Sequence, residues 1–89
     1  RSHGGLEVDL LIVIDGKLQL VEIKLTATPG AGHVEPINRF LAVAGDEACQ
    51  QGILVCRTES EQALPNGHVA MPWKSFPDWL RKRLSGATA

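Results

Sequence analysis

The first third of the chain has a distribution of apolar and polar positions that predicts two β-strands joined by a tight turn. Residues 6–14 contain five apolar residues in succession, and residues 17–25 are rich in β-forming side chains. Asp15 and Gly16, which separate the two segments, are a favoured pair for a two-residue type I′ turn. A continuous apolar run of this length is typical of a strand covered on both faces. We therefore expect an antiparallel hairpin near the centre of a sheet.

The middle of the chain predicts a helix that connects the hairpin to a further strand. After a loop at residues 26–32, Pro36 suits the first turn of a helix and Gly45 suits its end. Residues 53–57 then read as a short buried strand, so that strand, helix and strand make a right-handed crossover. The apolar residues that recur at helical spacing are Ile37, Phe40, Leu41 and Ala44.

The last third predicts a surface loop, a short strand and a terminal helix. The polar residues 58–67 form the loop, and residues 68–71 form a short edge strand that Pro72 ends. Ser75 is placed to cap the helix, with Asp78 three residues later, and Gly86 is placed to close it. The side chains expected to face the core from this helix are Trp79, Leu80 and Leu84. Residues 1–89 are thus expected to form one α/β domain.

Composition and charge narrow the class of protein. The 89 residues are 44% hydrophobic and 21% charged with a formal net charge of -1, which excludes a disordered acidic tail and a basic nucleic-acid arm. No apolar run approaches the roughly 18–20 residues of a membrane span. Cys49 and Cys56 match neither a redox pair nor a zinc spacing, so the expected location is the reducing cytoplasm.

The register of the hairpin brings charged residues together. If Ile14 faces Lys17 across a two-residue turn, the same register makes Asp9 face Glu22. It also makes Glu7 face Lys24. Because side chains alternate between the faces of a strand, Glu7, Asp9, Glu22 and Lys24 would then share one face. A three-residue loop with a bulge would shift this pairing, so the expectation depends on the turn.

Two carboxylates held side by side in an apolar setting either share a proton or bind a hard cation such as Mg²⁺ or Mn²⁺. Lys24 could then hold an attacking water or stabilise the charge of a phosphate, as metal-assisted phosphodiester hydrolysis requires. Glu7 is either a further ligand or the ion-pair partner of Lys24. The spacing alone is equally consistent with solvated charges at strand ends, because D-x₁₂-E-x-K is a loose pattern.

The residues around this pattern add a resemblance. The segments EVDLL at residues 7–11 and VEIK at residues 21–24 resemble the core of the PD-(D/E)XK nuclease-like superfamily. With TATP at residues 26–29 and VAMPW at residues 69–73, the chain looks like the C-terminal nuclease-like domain of uncharacterised prokaryotic AAA-type ATPases. The resemblance implies a restriction-endonuclease-like mixed sheet with a central hairpin, a crossover helix and a C-terminal helix. It also implies an upstream ATPase domain that binds ATP, so the chain is expected to be a fragment.

The resemblance implies roles for three residues. Asp9 and Glu22 would be metal ligands for Mg²⁺ or Mn²⁺, and Lys24 would be the catalytic lysine of a phosphodiesterase acting on nucleic acid. Val8 stands where many members have proline, and the acid that active members often contribute from an earlier helix would lie upstream of Arg1. The alternative is a non-catalytic regulatory or protein-interaction module that retains the nuclease fold.

Three histidines and an aromatic cluster are further candidates for a role in binding. His3 and His33 lie in glycine-containing loops, where a solvated histidine is more usual than a metal ligand, and His68 is expected to be exposed. Trp73, Phe76 and Trp79 stand near four cations and could form a surface for single-stranded nucleic acid, although core packing explains them better. A sheet edge left unpaired in a fragment would favour a homodimer. The four cations are Lys74, Arg81, Lys82 and Arg83.

Overall fold

A computed structural model describes residues 2–3 and 6–87 of the chain, and side chains from residue 6 to residue 86. The first two strands, β1 (Ser2–His3) and β2 (Leu6–Glu7), form a small antiparallel sheet of their own. The remaining elements are β3 (Leu10–Ile14), β4 (Lys17–Ile23), α1 (Glu35–Ala44), β5 (Ile53–Cys56), β6 (Gln62–Ala63), β7 (Val69–Pro72) and α2 (Phe76–Ala87). Short 3-10 helices occupy Ala31–Val34, Gly45–Glu47 and Pro65–Gly67.

The main sheet has five strands in the order β3-β4-β5-β7-β6. Its inner strands β4, β5 and β7 are parallel to one another, whereas β3 and β6 are antiparallel edge strands. Helix α1 connects the parallel neighbours β4 and β5, as the crossover expectation requires. The architecture is therefore the expected mixed α/β sheet with a crossover helix and a C-terminal helix.

The hairpin of β3 and β4 has the predicted turn and register but a different place in the sheet. Asp15 and Gly16 have φ angles of 54° and 79°, as a type I′ turn requires, and Ile14 pairs with Lys17. Strand β3 lies at the edge of the sheet, and Leu11 and Val13 are 42% and 65% exposed. The expectation of a central hairpin covered on both faces is wrong for β3, because α1 packs over β4 and leaves these two side chains uncovered.

Helix α1 covers one face of the sheet and follows its prediction closely. Pro36 lies in its first turn, and Gly45, which follows its last residue, has a φ of 55° that favours glycine. Ile37 and Phe40 are buried in a cluster that also contains side chains from β4, β5 and β7. These partners on the sheet are Leu20, Leu54, Cys56 and Ala70. Burial of this apolar stripe attaches the crossover to the sheet.

Helix α2 packs on the opposite face through its first turns. Phe76 and Trp79 contact a second buried cluster formed by Val21, Ile53, Val55 and Met71. Leu84, expected in the core, is 43% exposed, so the contact with the sheet weakens toward the end of the helix. The helix also continues through Gly86 to Ala87. Gly86 does not close it, because a left-handed stop needs a positive φ that this glycine lacks.

The strand at residues 68–71 is internal and not at the edge as expected. Two residues of the predicted loop, Gln62 and Ala63, pair with Ala70 and Val69 and so cover the outer side of β7. A strand of two residues carries no periodic signal, which is why the sequence predicted only a loop there.

His68 is another correction, since it is buried at 1% exposure instead of exposed. Its Nδ1 accepts a hydrogen bond from the Gly52 amide at 2.8 Å, and its Nε2 lies 2.7 Å from Oδ1 of Asn38. With Nδ1 accepting, the ring proton sits on Nε2 and is donated to Asn38. Burial lowers the pKa of His68, which favours this neutral form. The histidine thus joins β7, α1 and the start of β5.

Substituting Gly52 by alanine is predicted to destabilise the domain by about 1–3 kcal/mol, as overpacking of a core does. A Cβ at this position would lie 2.6 Å from Cγ2 of Ile37 and 3.2 Å from Nδ1 of His68. Gly32→Ala is the matched control, because a Cβ there meets nothing within 4 Å. Urea unfolding should show a large loss for Gly52→Ala and a change of less than about 1 kcal/mol for the control. Equal effects would contradict the close packing of α1 against Gly52.

Candidate functional site

The candidate site lies where β3 separates from β4. The predicted strand over residues 6–14 is interrupted, since Val8 and Asp9 belong to no strand and β2 pairs with β1. Val8 is 1% exposed and belongs to the same buried cluster under α1 as Leu20. In a regular strand Val8 would lie on the face opposite Leu20, so the chain turns over at this bend. The expected pairing of Glu7 with Lys24 is therefore wrong, and Glu7 pairs with Ser2.

Two hydrogen bonds between side chain and backbone connect Asp9 to the end of β4, one to Glu22 and one to Ile23. The Asp9 amide donates to Oε1 of Glu22 at 2.8 Å, and the Ile23 amide donates to Oδ2 of Asp9 at 2.8 Å. If the ladder continued regularly, the Ile23 amide would donate to the carbonyl of Val8. The Asp9 carboxylate therefore replaces a backbone acceptor at the end of the hairpin. Asp9 and Glu22 are neighbours, as the register led us to expect, but the contact is between the Asp9 amide and the Glu22 carboxylate and not a cross-strand pair.

The Glu22 side chain is 5% exposed, and its Oε2 lies 3.9 Å from Nζ of Lys24. Lys24 has 46% of its side chain exposed, and its amide donates to the carbonyl of Val55 at 3.0 Å. Burial raises the pKa of Glu22, and the charge of Asp9 raises it further. The hydrogen bond from the Asp9 amide and the charge of Lys24 act in the opposite direction. The site is thus a buried carboxylate with an exposed acid and an exposed lysine beside it.

The oxygen atoms of the pair define what it can bind. One oxygen of each carboxylate is occupied by a backbone amide, and Oδ1 of Asp9 accepts no hydrogen bond from a described residue. Oδ1 of Asp9 and Oε2 of Glu22 are oxygen donors of the kind that Mg²⁺ and Mn²⁺ prefer. Among residues 2–3 and 6–87, however, no group of three or more His, Cys, Asp or Glu residues could hold a metal ion. Within the described residues, the protein ligands of a cation at this site would be these two carboxylates.

The other candidate ligands lie apart from this pair. Glu7 is exposed and lines a groove with Pro36 and Arg39 of α1. His33 accepts a hydrogen bond from the Gly30 amide through Nδ1 at 3.1 Å, which closes the turn before α1. The side chain of His3 lies outside the described residues. Neither Glu7 nor His33 is grouped with Asp9 and Glu22 as a ligand.

The aromatic residues near the C-terminus divide into two groups. Phe76 and Trp79 stack with ring centroids 5.8 Å apart. Both pack against the core, as the sequence predicted in preference to a binding surface. Trp73 is 57% exposed, and the Lys74 ammonium lies 5.6 Å from its ring centroid. Sequence reasoning missed Arg57, which lines the same cleft as Trp73. The sequence could have indicated this proximity, because Arg57 and Trp73 directly follow β5 and β7, which are parallel neighbours.

The fold and the site define a mixed α/β domain with a carboxylate pair and a lysine at the open end of a hairpin. A family described as "Domain of unknown function (DUF4143)" matches residues 1–76. The chain therefore belongs to the DUF4143 family. No curated protein and no solved structure matches it. Within the described residues, no helix has the length and apolar character needed to cross a membrane.

Substituting Glu22 by glutamine is predicted to change how stability depends on pH. The raised pKa means that the folded state holds the Glu22 proton at pH values where the unfolded chain has released it, so the native protein loses stability as the pH rises above about 4.5. Glutamine keeps the oxygen that accepts from the Asp9 amide but does not titrate. Urea unfolding in EDTA should show the variant gaining stability over the native protein from pH 4 to pH 7. A difference that is constant over this range would show that burial of the charge is not costly.

Proposed function

We propose that the domain is a metal-dependent phosphodiesterase of nucleic acid, with its site at Asp9, Glu22 and Lys24. The observation that supports the proposal is the pair of 2.8 Å hydrogen bonds that fixes two carboxylates together with a lysine 3.9 Å from one of them. Two acids and a neighbouring cation are the residue types that metal-assisted hydrolysis of a phosphodiester uses. The match of EVDLL and VEIK to the PD-(D/E)XK pattern supports the same assignment.

The residues fit a Mg²⁺ or Mn²⁺ ion by their chemistry. Asp9 would supply Oδ1 and Glu22 would supply Oε2, because the other oxygen of each carboxylate is held by a backbone amide. A bound divalent ion supplies a Lewis acid and lowers the pKa of its bound water. Since burial disfavours the charged form of Glu22, a cation beside it would also relieve an electrostatic cost.

The three side chains have different parts in the proposed reaction. The Ile23 amide orients the Asp9 carboxylate, and the Asp9 amide orients that of Glu22, so neither acid depends on a flexible rotamer. Lys24 follows β4 and is partly exposed, which lets its ammonium reach a phosphate oxygen or an attacking water. Its backbone is held by β5 through the carbonyl of Val55.

The second candidate is a non-catalytic interaction module, docked on an ATPase domain of the same protein or on a partner protein. The observation that favours it is that both acids already accept backbone amides, those of Asp9 and Ile23, as a structural latch would. Within the described residues, no third acid, histidine or cysteine is grouped with them. Under this proposal the pair only holds the end of the hairpin in place.

Cleavage of labelled single-stranded DNA, duplex DNA and RNA with Mg²⁺ or Mn²⁺ tests the catalytic proposal. The native chain should cleave at least one substrate, and EDTA should abolish the cleavage. Lys24→Ala and Asp9→Asn should each lower the rate about 10²-fold or more, because they remove charge at the reacting phosphate or the metal. Asparagine retains an oxygen that can accept from the Ile23 amide, so Asp9→Asn should still fold.

Lys17→Ala is the matched control, because Lys17 is an exposed lysine at the start of β4, whereas Lys24 follows the end of that strand. Its cleavage rate should equal that of the native chain. If Lys24→Ala and Lys17→Ala cleave equally, the catalytic assignment is wrong. An absence of cleavage together with no saturable binding of Mn²⁺ by calorimetry would favour the interaction module.

A further inference from the structure

A cleft lies at the carboxyl ends of β5 and β7. It has a volume of about 420 Å³ and is formed by the segments that directly follow the two strands. Arg57, Thr58 and Glu59 line one side, and Trp73, Lys74 and Ser75 line the other. The carboxyl ends of parallel strands are where open α/β sheets most often bind ligands. The cleft therefore has both the position and the size of a binding site.

Trp73 presents an exposed aromatic ring on a fixed backbone. Its amide donates to the carbonyl of Cys56 at 2.9 Å, and the Ser75 amide donates to that of Pro72 at 2.9 Å. The residue is nevertheless 57% exposed, whereas Trp79 of the same segment packs against the core. A rigidly held tryptophan that faces solvent is suited to stacking with a planar group.

The charges in the cleft favour an anion. Arg57 and Lys74 contribute two cations, and Glu59 contributes the only carboxylate among the residues that line it. Neither cation forms a salt bridge with a described residue. The whole chain has a net charge of -1, so this excess of positive charge is a local feature. A ligand with a flat ring and a phosphate would meet both the ring of Trp73 and the two cations.

We propose that this cleft binds a nucleotide of single-stranded nucleic acid, with the base stacked on Trp73 and the phosphate held by Arg57 and Lys74. A base can stack on a side chain only when it is not stacked in a duplex, which is why the ligand is single-stranded. The Arg57 amide donates to the carbonyl of Thr26 at 2.8 Å, so the backbone of Arg57 is attached to the segment that follows Lys24. As the substrate class of the proposed hydrolysis, single-stranded nucleic acid rests on the proposed function. Binding in the cleft itself requires neither Asp9 nor Glu22.

Binding is tested in EDTA with a fluorescein-labelled oligothymidylate of about 12 nucleotides, measured by anisotropy. Trp73→Leu should raise the dissociation constant about tenfold, because it removes the stacking surface. Arg57→Gln should weaken binding and reduce the dependence of affinity on salt by about one phosphate contact. Lys82→Gln is the charge control, since Lys82 is exposed on α2 and does not line the cleft, and it should change affinity much less.

In a Trp79→Phe background, the fluorescence of Trp73 alone should be quenched by the unlabelled oligonucleotide with the same dissociation constant.

The inference is overturned if Trp73→Leu binds as tightly as the native chain, or if tripolyphosphate, which has no base, competes as well as the oligonucleotide. It is also overturned if thymidine monophosphate binds as tightly as the oligonucleotide. Binding that survives Asp9→Asn while no variant cleaves would refute only the proposed hydrolysis. Cleavage that is unaffected by Trp73→Leu, with unchanged binding, would refute only the cleft.

Discussion

Two hydrogen bonds join Asp9 to Glu22 and Ile23 at the end of β4, and the structure of the candidate site depends on them. A carboxylate accepts the Ile23 amide in place of a backbone carbonyl, and a second carboxylate accepts the Asp9 amide. This exchange satisfies the Ile23 amide without continuing the ladder, and Val8 packs in the core under α1. The Glu22 carboxyl that accepts the Asp9 amide is only 5% exposed, so its ionisation is costly.

The same hydrogen bonds link the stability of the hairpin end to the proposed cation binding. A carboxylate with an elevated pKa beside a second acid is a costly arrangement that a purely structural hairpin end does not need. Lys24 offsets part of that cost, although it lies 3.9 Å away and is half-exposed, where an ion pair contributes little. A divalent cation would offset more of it, and this consideration favours the catalytic proposal over the latch. Membership of the DUF4143 family assigns no chemistry, so the argument depends on the site alone.

Local signals predicted most of the fold. The Asp15-Gly16 turn determined the register, and the positions of Pro36 and Gly45 bounded α1 to within a residue. The place of each strand in the sheet was not predictable in this way, because a continuous apolar run is compatible with both an edge and a central position. The register placed Asp9 opposite Glu22, and the structure makes them neighbours through the Asp9 amide, although Asp9 lies outside the strand. The register missed the bend at Val8, since the bend arises from side chains that compete for backbone hydrogen bonds, which periodicity does not report.

Paramagnetic broadening by Mn²⁺ in a nuclear magnetic resonance spectrum of the labelled chain tests the central claim most directly. The Asp9 and Ile23 amides donate to the two carboxylates, so their signals are the nearest backbone reporters of an ion bound between them. If Asp9 and Glu22 form a cation site, substoichiometric Mn²⁺ should broaden these two signals first, and Glu22→Gln should abolish the effect. Uniform broadening along the chain, or broadening centred on the exposed acids Asp46 and Glu47, would contradict it.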